Sequence, residues 1–214
     1  MRLRSVAVAV LDRALNIDTG GIVELEDLDL PDFEREGYEG SGWLDLRRML
    51  RRGEVGPEDV FLDLGSGKGR VVLLAARHPF AKVIGVEISE ALTAVARRNL
   101  VQSRHRRRCG SVELVTADAL DYPIPDEVTV VYLYNAFRGA TFDAVIGNLI
   151  ASVDRRPRCV RLIYLNPQEH ERLVGTGRIR LVRTAGRLRL QRDEGAKAYL
   201  RLYVLEPDAG RPGG

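Results

Sequence analysis

The segment that constrains this chain most is the glycine-rich stretch at residues 60–69, which reads Val-Phe-Leu-Asp-Leu-Gly-Ser-Gly-Lys-Gly. An apolar run ends at Asp63 and Leu64, three alternating glycines follow, and a second apolar run begins at Val71. This pattern predicts a buried strand, a tight turn and the first turn of a helix. Because glycine lacks a Cβ and adopts positive φ, such a turn lets a ligand lie directly against backbone N–H groups. The segment therefore predicts a ligand site at the end of a strand.

Three kinds of nucleotide-like ligand are bound by turns of this type, and the glycine spacing separates them. A phosphate-binding P-loop requires Gly-x-x-x-x-Gly-Lys followed by Ser or Thr, but Leu62 replaces its first glycine and Gly69 replaces its hydroxyl residue. The dinucleotide pattern Gly-x-Gly-x-x-Gly fails by one position, because Arg70 stands where the third glycine belongs. The pattern Asp-x-Gly-x-Gly-x-Gly, which begins at Asp63, is typical of S-adenosylmethionine (SAM) sites. A glycine-rich turn without any ligand is the remaining alternative.

Acidic residues also follow two later apolar runs. Glu87 ends the run at residues 82–88, at the distance from the glycines where an acid binds ribose hydroxyls in doubly wound folds. Asp118 follows the run at residues 112–116, where a carboxylate can accept a hydrogen bond from an adenine amino group. Since ligands bind at the carboxyl ends of parallel strands, these two acids and Asp63 are expected to converge on one site. Each acid alone is also compatible with a capping role, and Asp118 with a role in a turn.

Three segments together resemble the class I SAM-dependent methyltransferases: residues 61–75, residues 84–88 and residues 117–119. Within that superfamily, the run Asp-Leu-Gly-Ser-Gly-Lys-Gly-Arg-Val-Val is similar to the Dot1-like lysine methyltransferases and their small bacterial relatives. The segment at residues 132–137 resembles the Asn-Pro-Phe motif that those relatives carry after the fourth strand, with Ala136 in place of the proline. The resemblance extends over residues 20–175.

The resemblance implies which residues bind the cofactor and which face the methyl acceptor. In that family a segment before the glycine turn folds over SAM as a lid, which makes Tyr38 and Ser41 expected contacts. Asn135 and Tyr134 are the expected catalytic residues: the amide oxygen would orient an amine lone pair, and an aromatic face would hold the sulfonium by cation–π attraction. Core packing is the alternative for Tyr132, Tyr134 and Phe137. The expected cofactor contacts are Asp63, Gly65, Ser66, Gly67, Gly69, Glu87, Ile88, Asp118, Ala119, Asn135, Tyr38 and Ser41.

Composition limits the other classes of function. A chain of 214 residues suits one domain with a sizeable core, and no stretch of the sequence is long and apolar enough to cross a bilayer. Cys109 and Cys159 lie far apart and imply no disulfide framework, so a cytoplasmic location is expected. The three histidines show no zinc-ligand spacing, so no metal is expected. A monomer is the expected state.

Charge is distributed unevenly along the chain. Residues 24–39 contain eight acidic residues and one arginine; this segment would either attract a basic substrate or form a solvated lead-in, which is favoured. Four arginines cluster at residues 104–108, a pattern typical of nucleic-acid surfaces. Because no aromatic residues are interleaved for base stacking, a solvated loop is favoured there, and a nucleic-acid partner is not expected.

The order of the apolar runs predicts an α/β fold of the Rossmann-like type. Strand-like and helix-like runs alternate over residues 59–165, which implies a parallel sheet with helices on both faces. Two alternating runs at residues 178–191 and 197–205, joined at residues 193–195, predict a C-terminal β-hairpin. The methyltransferase resemblance implies a seven-stranded, mostly parallel sheet with one antiparallel strand beside the fifth.

Local signals and domain limits complete the expected fold. Ser41 is the expected N-cap of a helix at residues 42–52, and Asn99 is expected at the surface of a later helix. The predicted divisions are an N-terminal helical and acidic lid segment at residues 1–52, a SAM-binding methyltransferase domain at residues 53–207 and a disordered tail at residues 208–214.

The expected function is transfer of a methyl group from SAM to a nitrogen acceptor, either a protein lysine or a small amine. SAM carries its methyl group on an activated sulfonium, so the protein needs to align the acceptor, exclude water and let a proton leave. Two alternatives remain open: a SAM-binding protein without catalysis, which the change at Ala136 motivates, and a methyltransferase acting on nucleic acid. An NAD-dependent oxidoreductase is disfavoured by the glycine spacing.

Overall fold

The computed structural model describes residues 2–23, 38–51, 53–186 and 199–208. Its helices are α1 (Arg2–Leu15), α2 (Asp45–Met49), α3 (Arg70–Ala75), α4 (Glu90–Gln102), α5 (Gly139–Arg155) and α6 (His170–Gly175). Its strands are β1 (Ile22–Val23), β2 (Tyr38–Glu39), β3 (Val60–Leu64), β4 (Lys82–Glu87), β5 (Ser111–Thr116), β6 (Val128–Tyr134), β7 (Val160–Leu165), β8 (Ile179–Ala185) and β9 (Leu200–Leu205).

Seven of these strands form one sheet in the order β5-β4-β3-β6-β7-β9-β8. The neighbours from β5 to β7 run parallel, whereas β9 pairs antiparallel with both β7 and β8. This confirms the predicted α/β fold, the antiparallel strand beside the fifth parallel strand and the C-terminal antiparallel pair. Every residue of β3 is buried, which explains why its sequence is a nearly continuous apolar run rather than an alternating one.

A hydrophobic core lies on each face of the sheet. Phe142 and Leu149 of α5 belong to the first core, together with Leu62 of β3. Leu46 of α2 and Phe61 of β3 belong to the second core. Consecutive residues of β3 thus supply opposite cores, because successive side chains of a strand point to opposite faces. With both faces covered by helices, the carboxyl ends of the parallel strands remain as the place for a ligand site.

The strand register brings the predicted site segments to one edge of the sheet. Leu64 at the end of β3 pairs with Val86 of β4 and with Leu133 of β6. Glu87 at the end of β4 pairs with Thr116 at the end of β5. The glycine turn and the loops that follow β4, β5 and β6 therefore begin at the same level.

The N-terminal part of the chain adds a small second sheet. Strands β1 and β2 pair antiparallel, with Val23 opposite Tyr38. The intervening residues 24–37 hold most of the acidic segment and lie outside the described residues, as do the predicted hairpin turn at residues 193–195 and residues 209–214 of the predicted tail. Within the described ranges, no helix combines the length and the apolar character that crossing a membrane requires.

The helix expected at residues 42–52 is shorter than predicted. It forms only over Asp45–Met49, and its N-cap is Leu44 rather than Ser41. The Asp45 side chain accepts a hydrogen bond from the Gly42 N–H at 2.9 Å. This contact closes a turn ahead of the helix and moves the helix start three residues along the chain.

The surface position expected for Asn99 is wrong. This residue of α4 is only 2 % exposed. Its Nδ2 donates to the Asp18 carbonyl at 2.7 Å, and its Oδ1 accepts from the Asp18 N–H at 2.8 Å. The partner comes from a segment 81 residues away in the sequence, so helix periodicity alone gave no signal of this contact.

Candidate functional site

The three glycines that follow β3 all adopt the left-handed backbone conformation. φ is 79° at Gly65, 52° at Gly67 and 80° at Gly69, values that residues with a Cβ rarely reach. The turn is tied to the next strand, because the N–H groups of Gly65 and Ser66 both donate to the Val86 carbonyl at 2.9 Å. The tight turn predicted from the sequence is therefore formed, and it lies at the carboxyl end of β3.

Two residues from other segments contact this turn closely. A Cβ at Gly67 would lie 2.2 Å from the Tyr38 ring, and a Cβ at Gly65 would lie 2.9 Å from the Ala136 side chain. The Tyr38 hydroxyl in turn donates to the Thr19 carbonyl at 2.7 Å. The glycine turn is thus in contact with both the N-terminal segment and the loop after β6.

Glu87, at the end of β4, is buried and bound by two backbone amides. Its Oε2 accepts from the Gly67 N–H at 2.8 Å, and its Oε1 accepts from the Ser89 N–H at 3.0 Å. Burial raises the pKa of the Glu87 carboxyl, and the backbone hydrogen bonds oppose that rise. Because each carboxylate oxygen has two lone pairs, acceptor capacity remains for the vicinal hydroxyls of a ribose.

Asp63, one residue before the end of β3, is only 2 % exposed. Burial raises the pKa of its carboxyl well above the ordinary value, and the nearby charge of Glu87 raises it further. The Asp63 charge also acts on Tyr38 of the N-terminal segment. Two buried acids that repel each other form a place where a cationic ligand is favoured.

Asp118 follows β5 at the same edge, and its side chain serves a turn. Its Oδ1 accepts from the Leu120 N–H at 3.0 Å. The turn role considered from the sequence is therefore present, and a contact with adenine stays a prediction. Ala119 is buried and Ile88 is half-buried beside the same strand ends, so both lie where an adenine ring is expected.

Asn135 directly follows β6 and is the most unusual polar residue of the site. Its φ is 44°, and the residue is only 6 % exposed. Its Oδ1 is buried and has no hydrogen-bond partner within the described part of the chain. An unpaired buried acceptor costs about 1–3 kcal/mol. A bound molecule that donates a hydrogen bond to this oxygen would remove that cost.

The aromatic residues around Asn135 differ in their surroundings. Tyr132 is 1 % exposed and belongs to the second core, and Phe137 is 5 % exposed and belongs to the first. Both residues therefore pack in the core, as the alternative interpretation of the sequence expected. Tyr134 is half-buried and packs against the second core. Its expected contact with a sulfonium therefore stays a prediction.

Residues 61–161 match the family model described as a methyltransferase domain. These residues are here called the methyltransferase domain, after the family that they match. The matched residues run from β3 into β7 and include the glycine turn, Glu87, Asp118 and Asn135. All of the residues predicted to contact SAM except Tyr38 and Ser41 therefore lie within the matched part of the methyltransferase domain.

Curated relatives of the methyltransferase domain are similar over part of their length. The demethylmenaquinone methyltransferase of Symbiobacterium thermophilum is 33 % identical over 120 residues, which are 55 % of this chain and 42 % of that protein. A histone-lysine N-methyltransferase of Caenorhabditis elegans is 27 % identical over 150 residues, which are 65 % of this chain and 16 % of that protein. The chain thus spans less than half the length of these relatives, and its likeness to the Dot1-like enzymes is distant.

Solved structures share the fold of the methyltransferase domain. An RNA methyltransferase from Salinibacter ruber, solved with S-adenosyl-L-homocysteine (SAH) bound, has a TM-score of 0.51 at 23 % identity over 82 % of this chain and 98 % of that chain. TrmN from Thermus thermophilus has a TM-score of 0.52 at 21 % identity over 75 % of this chain and 47 % of that chain. SAH is the product that SAM leaves after methyl transfer.

Arg70, the first residue of α3, joins the methyltransferase domain to the N-terminal segment and was not identified from the sequence. It is only 3 % exposed. Its Nη1 donates to the Ser41 carbonyl at 2.6 Å, and its Nε donates to the Thr19 hydroxyl at 2.8 Å. Ser41 is thus held through its carbonyl, and its expected contact with SAM stays a prediction. The one sequence signal for Arg70 is a charge at the start of an otherwise apolar helix.

Lys68 and Asn99 hold the same N-terminal segment. The Lys68 Nζ forms an ion pair with Asp18 at 3.1 Å and donates to the Gly20 carbonyl at 2.9 Å. The Asn99 Nδ2 links the N-terminal segment to the glycine turn, since it donates to the carbonyls of Asp18 and Lys68. Lys68, which a P-loop would direct at phosphate, instead binds the protein's own backbone.

The described residues contain a polar cavity but no cluster that could hold a metal ion. Among the described residues, no three His, Cys, Asp or Glu side chains are arranged to hold a metal ion. A cavity of about 280 Å³ between α1 and α4 is lined by polar residues such as Asp18 and Asn99. None of the residues predicted for SAM or for the acceptor lines it, so it is separate from the strand-end site.

Proposed function

We propose that the protein transfers a methyl group from SAM to a nitrogen acceptor, either a protein lysine or a small amine. The observation that carries this proposal is the buried Asn135 Oδ1 without a hydrogen-bond donor. The next residue, Ala136, lies against Gly65 of the glycine turn. An acceptor that donates to Asn135 would therefore lie beside the place where SAM is expected.

The residues of the site fit SAM. The left-handed glycines carry no side chain, so a ligand can lie directly against the backbone of the turn. The buried carboxyls of Asp63 and Glu87 favour the positive charges of SAM and the ribose hydroxyls. When bound, SAM supplies a methyl group on a sulfonium, which is already an activated electrophile.

The protein contributes alignment rather than a nucleophile. The Asn135 Oδ1 accepts a hydrogen bond from the acceptor N–H and thereby points the nitrogen lone pair at the methyl group. The backbone at Asn135 is left-handed, a conformation that asparagine adopts more readily than most residues with a Cβ. An amide oxygen is not basic, so the acceptor amine must arrive neutral, and the proton released on methylation leaves to water.

A nucleic-acid acceptor is the second candidate. Four arginines in the loop before β5 are exposed: Arg104, Arg106, Arg107 and Arg108. Exposed, clustered arginines bind phosphate backbones, and the Salinibacter ruber neighbour is an RNA methyltransferase. The ring nitrogens and amino groups of bases are also nitrogen acceptors, so Asn135 would act in the same way.

Methyl-labelled SAM tests the proposal directly. The protein is incubated with labelled SAM and, separately, with the protein, RNA and small-molecule fractions of a host lysate. We expect label on amine nitrogens of the protein or small-molecule fraction. Label in RNA alone would replace the first acceptor class with the second, and SAH binding without transfer to any fraction would identify a non-catalytic binding protein.

A further inference from the structure

One buried guanidinium connects two separate N-terminal segments to the start of α3. The Arg70 Nη2 donates to the Thr19 carbonyl at 2.5 Å and its Nε donates to the Thr19 hydroxyl at 2.8 Å. Its Nη1 donates to the Ser41 carbonyl at 2.6 Å. Residues 18–21 and residues 38–41, here called the lid segments, are therefore both bound by this one side chain.

Arg70 reaches the glycine turn through Thr19 and Tyr38. The Thr19 carbonyl accepts from both Arg70 and the Tyr38 hydroxyl, the latter at 2.7 Å. The Tyr38 ring lies so close to Gly67 that a Cβ there would clash with it at 2.2 Å. Burial raises the pKa of the Tyr38 hydroxyl, so the hydroxyl keeps its proton and remains a donor at neutral pH.

A buried carboxylate completes this network. The Thr19 hydroxyl and N–H both donate to Asp12 of α1, at 2.9 Å and 2.7 Å. Asp12 is 7 % exposed and Thr19 is fully buried. The Thr19 hydroxyl thus accepts from the Arg70 cation and donates to the Asp12 anion. Removing one partner of a buried ion pair strongly destabilises a protein, because the other charge is left buried and unpaired. The closed arrangement of the lid segments therefore depends on Arg70.

We propose that Arg70 is a positioning residue that latches the lid segments over the glycine turn and sets how long the cofactor stays bound. The proposal rests on the proposed function only in that the turn binds SAM and SAH. Lysine cannot replace Arg70, because a single ammonium does not provide the planar fork that reaches three oxygens in two segments. Opening the lid segments removes the Tyr38 ring from Gly67 and exposes the ligand to water.

The chain contains a natural reporter for this latch. Trp43 is its only tryptophan, and the Arg70 guanidinium lies 5.4 Å from the centre of its ring. Stopped-flow measurement of Trp43 emission during chase of bound SAH would give the dissociation rate. We expect Arg70→Lys to raise that rate about tenfold, the change that about 1.4 kcal/mol produces, and to reduce the emission change on SAH binding.

A matched control separates latching from general loss of a buried arginine. The half-buried Arg158 donates to the Val128 and Ser152 carbonyls at 2.7 and 2.8 Å, and these contacts lie at the start of β6, away from the glycine turn. Arg158→Lys therefore removes a similar set of hydrogen bonds. It is expected to lower the melting temperature without changing the SAH dissociation rate.

The Tyr38 hydroxyl provides a second, milder test. Tyr38→Phe removes one donor to the Thr19 carbonyl and keeps the ring on Gly67, so it should raise the SAH dissociation rate even where the lysine variant fails to fold. Because Arg70 and Tyr38 act through the same carbonyl, their effects on the dissociation rate should be coupled in a double-mutant cycle. Additive effects, or equal rates in the Arg70→Lys and Arg158→Lys proteins, would overturn the latch. No SAH binding by the unmodified protein would instead overturn the proposed function.

Discussion

The Glu87 Oε2 accepts a hydrogen bond from the Gly67 N–H at 2.8 Å. The acid that is expected to bind the ribose therefore also fixes the second glycine of the turn. The two motifs were identified separately in the sequence, 20 residues apart, but in the fold they form one unit. A change at Glu87 is consequently expected to affect both the ribose contact and the shape of the turn.

The first prediction concerns that acid. Glu87→Gln replaces one acceptor oxygen by a donor, so either the Gly67 or the Ser89 amide loses its partner. We expect SAH affinity to fall by about 1.5–3 kcal/mol, the usual contribution of a hydrogen bond to a charged group. Isothermal titration with SAH measures this. Glu90→Gln is the control, because Glu90 is exposed on α4 and its change should leave the affinity as it is; equal losses in both variants would contradict the role of Glu87.

The second prediction concerns pH and Asp63. Burial raises the pKa of this carboxyl above its ordinary value of 3.8. A carboxyl whose pKa is raised by folding stabilises the fold when protonated, and that contribution is lost as pH rises through the folded-state pKa. The melting temperature of the ligand-free protein should therefore fall as pH rises from 3.8 through the raised pKa of Asp63. Asp63→Asn should make this fall smaller. Glu87 has a pKa raised in the same direction, so part of the dependence should remain.

SAM affinity should respond to pH in the opposite sense. The cation is favoured by the ionised form of Asp63, so SAM binding should strengthen as pH rises through the raised pKa. Asp63→Asn should weaken SAM binding and reduce this slope. Titrations of both proteins at several pH values measure the effect, and identical slopes would show that Asp63 lies outside the binding site.

The third prediction separates acceptor positioning from cofactor binding. Asn135→Gly removes the unpaired Oδ1 and keeps a residue that tolerates the observed φ of 44°, which Asn135→Ala would not. We expect kcat to fall about 10²–10³-fold, as for other removed positioning donors or acceptors, with SAH affinity unchanged. Single-turnover assays on the acceptor found with labelled SAM check this. A loss of SAH binding equal to the loss of rate would show that Asn135 binds the cofactor rather than positions the acceptor.

The sequence was sufficient for the parts of the fold that local patterns encode. Continuous apolar runs predicted β3 and β4, and the glycine spacing predicted the left-handed turn at Gly65, because both signals lie within a few residues. The antiparallel strand beside the fifth parallel strand followed from the family resemblance. These features depend on backbone geometry that glycine and β-branched residues specify directly.

Contacts between distant segments could not be predicted in the same way. Asn99 was placed at the surface because polar residues on helices usually lie there, whereas its partner is Asp18. Arg70 gave no sign that it binds Thr19 and Ser41, since nothing in the chain near residue 70 identifies those oxygens. Ser41 resembled an N-cap, but the Asp45 side chain closes the turn at Gly42 instead. The partners of Asn99 and Arg70 are decided by tertiary structure, whereas the miss at Ser41 comes from a competing local contact.

The fourth prediction uses two glycines in contrasting positions. Gly67→Ala places a Cβ 2.2 Å from the Tyr38 ring at a residue with φ of 52°. We expect it to destabilise the fold by about 1–2 kcal/mol, the cost of the left-handed backbone for a residue with a Cβ, and to weaken SAH binding by displacing Tyr38. Thermal unfolding and SAH titration measure the two effects.

Gly147→Ala is the matched control for that change. Gly147 lies within α5, and a Cβ there would meet nothing within 4 Å. The change should stabilise the protein by about 0.5–1 kcal/mol, because alanine loses less conformational freedom in a helix than glycine does. SAH affinity should not change. If Gly67→Ala bound SAH as tightly as Gly147→Ala, the glycine turn would not be the contact surface for the cofactor.

The most direct test of the account is a crystal structure of the protein with SAH. We predict that the ribose hydroxyls lie about 2.5–3.0 Å from the Glu87 carboxylate, the usual range for O–H···O hydrogen bonds. The homocysteine part should lie against the backbone of Gly65 to Gly67, with its sulfur facing Asn135. SAH bound elsewhere, or with its ribose away from Glu87, would contradict the assignment of the glycine turn as the SAM site.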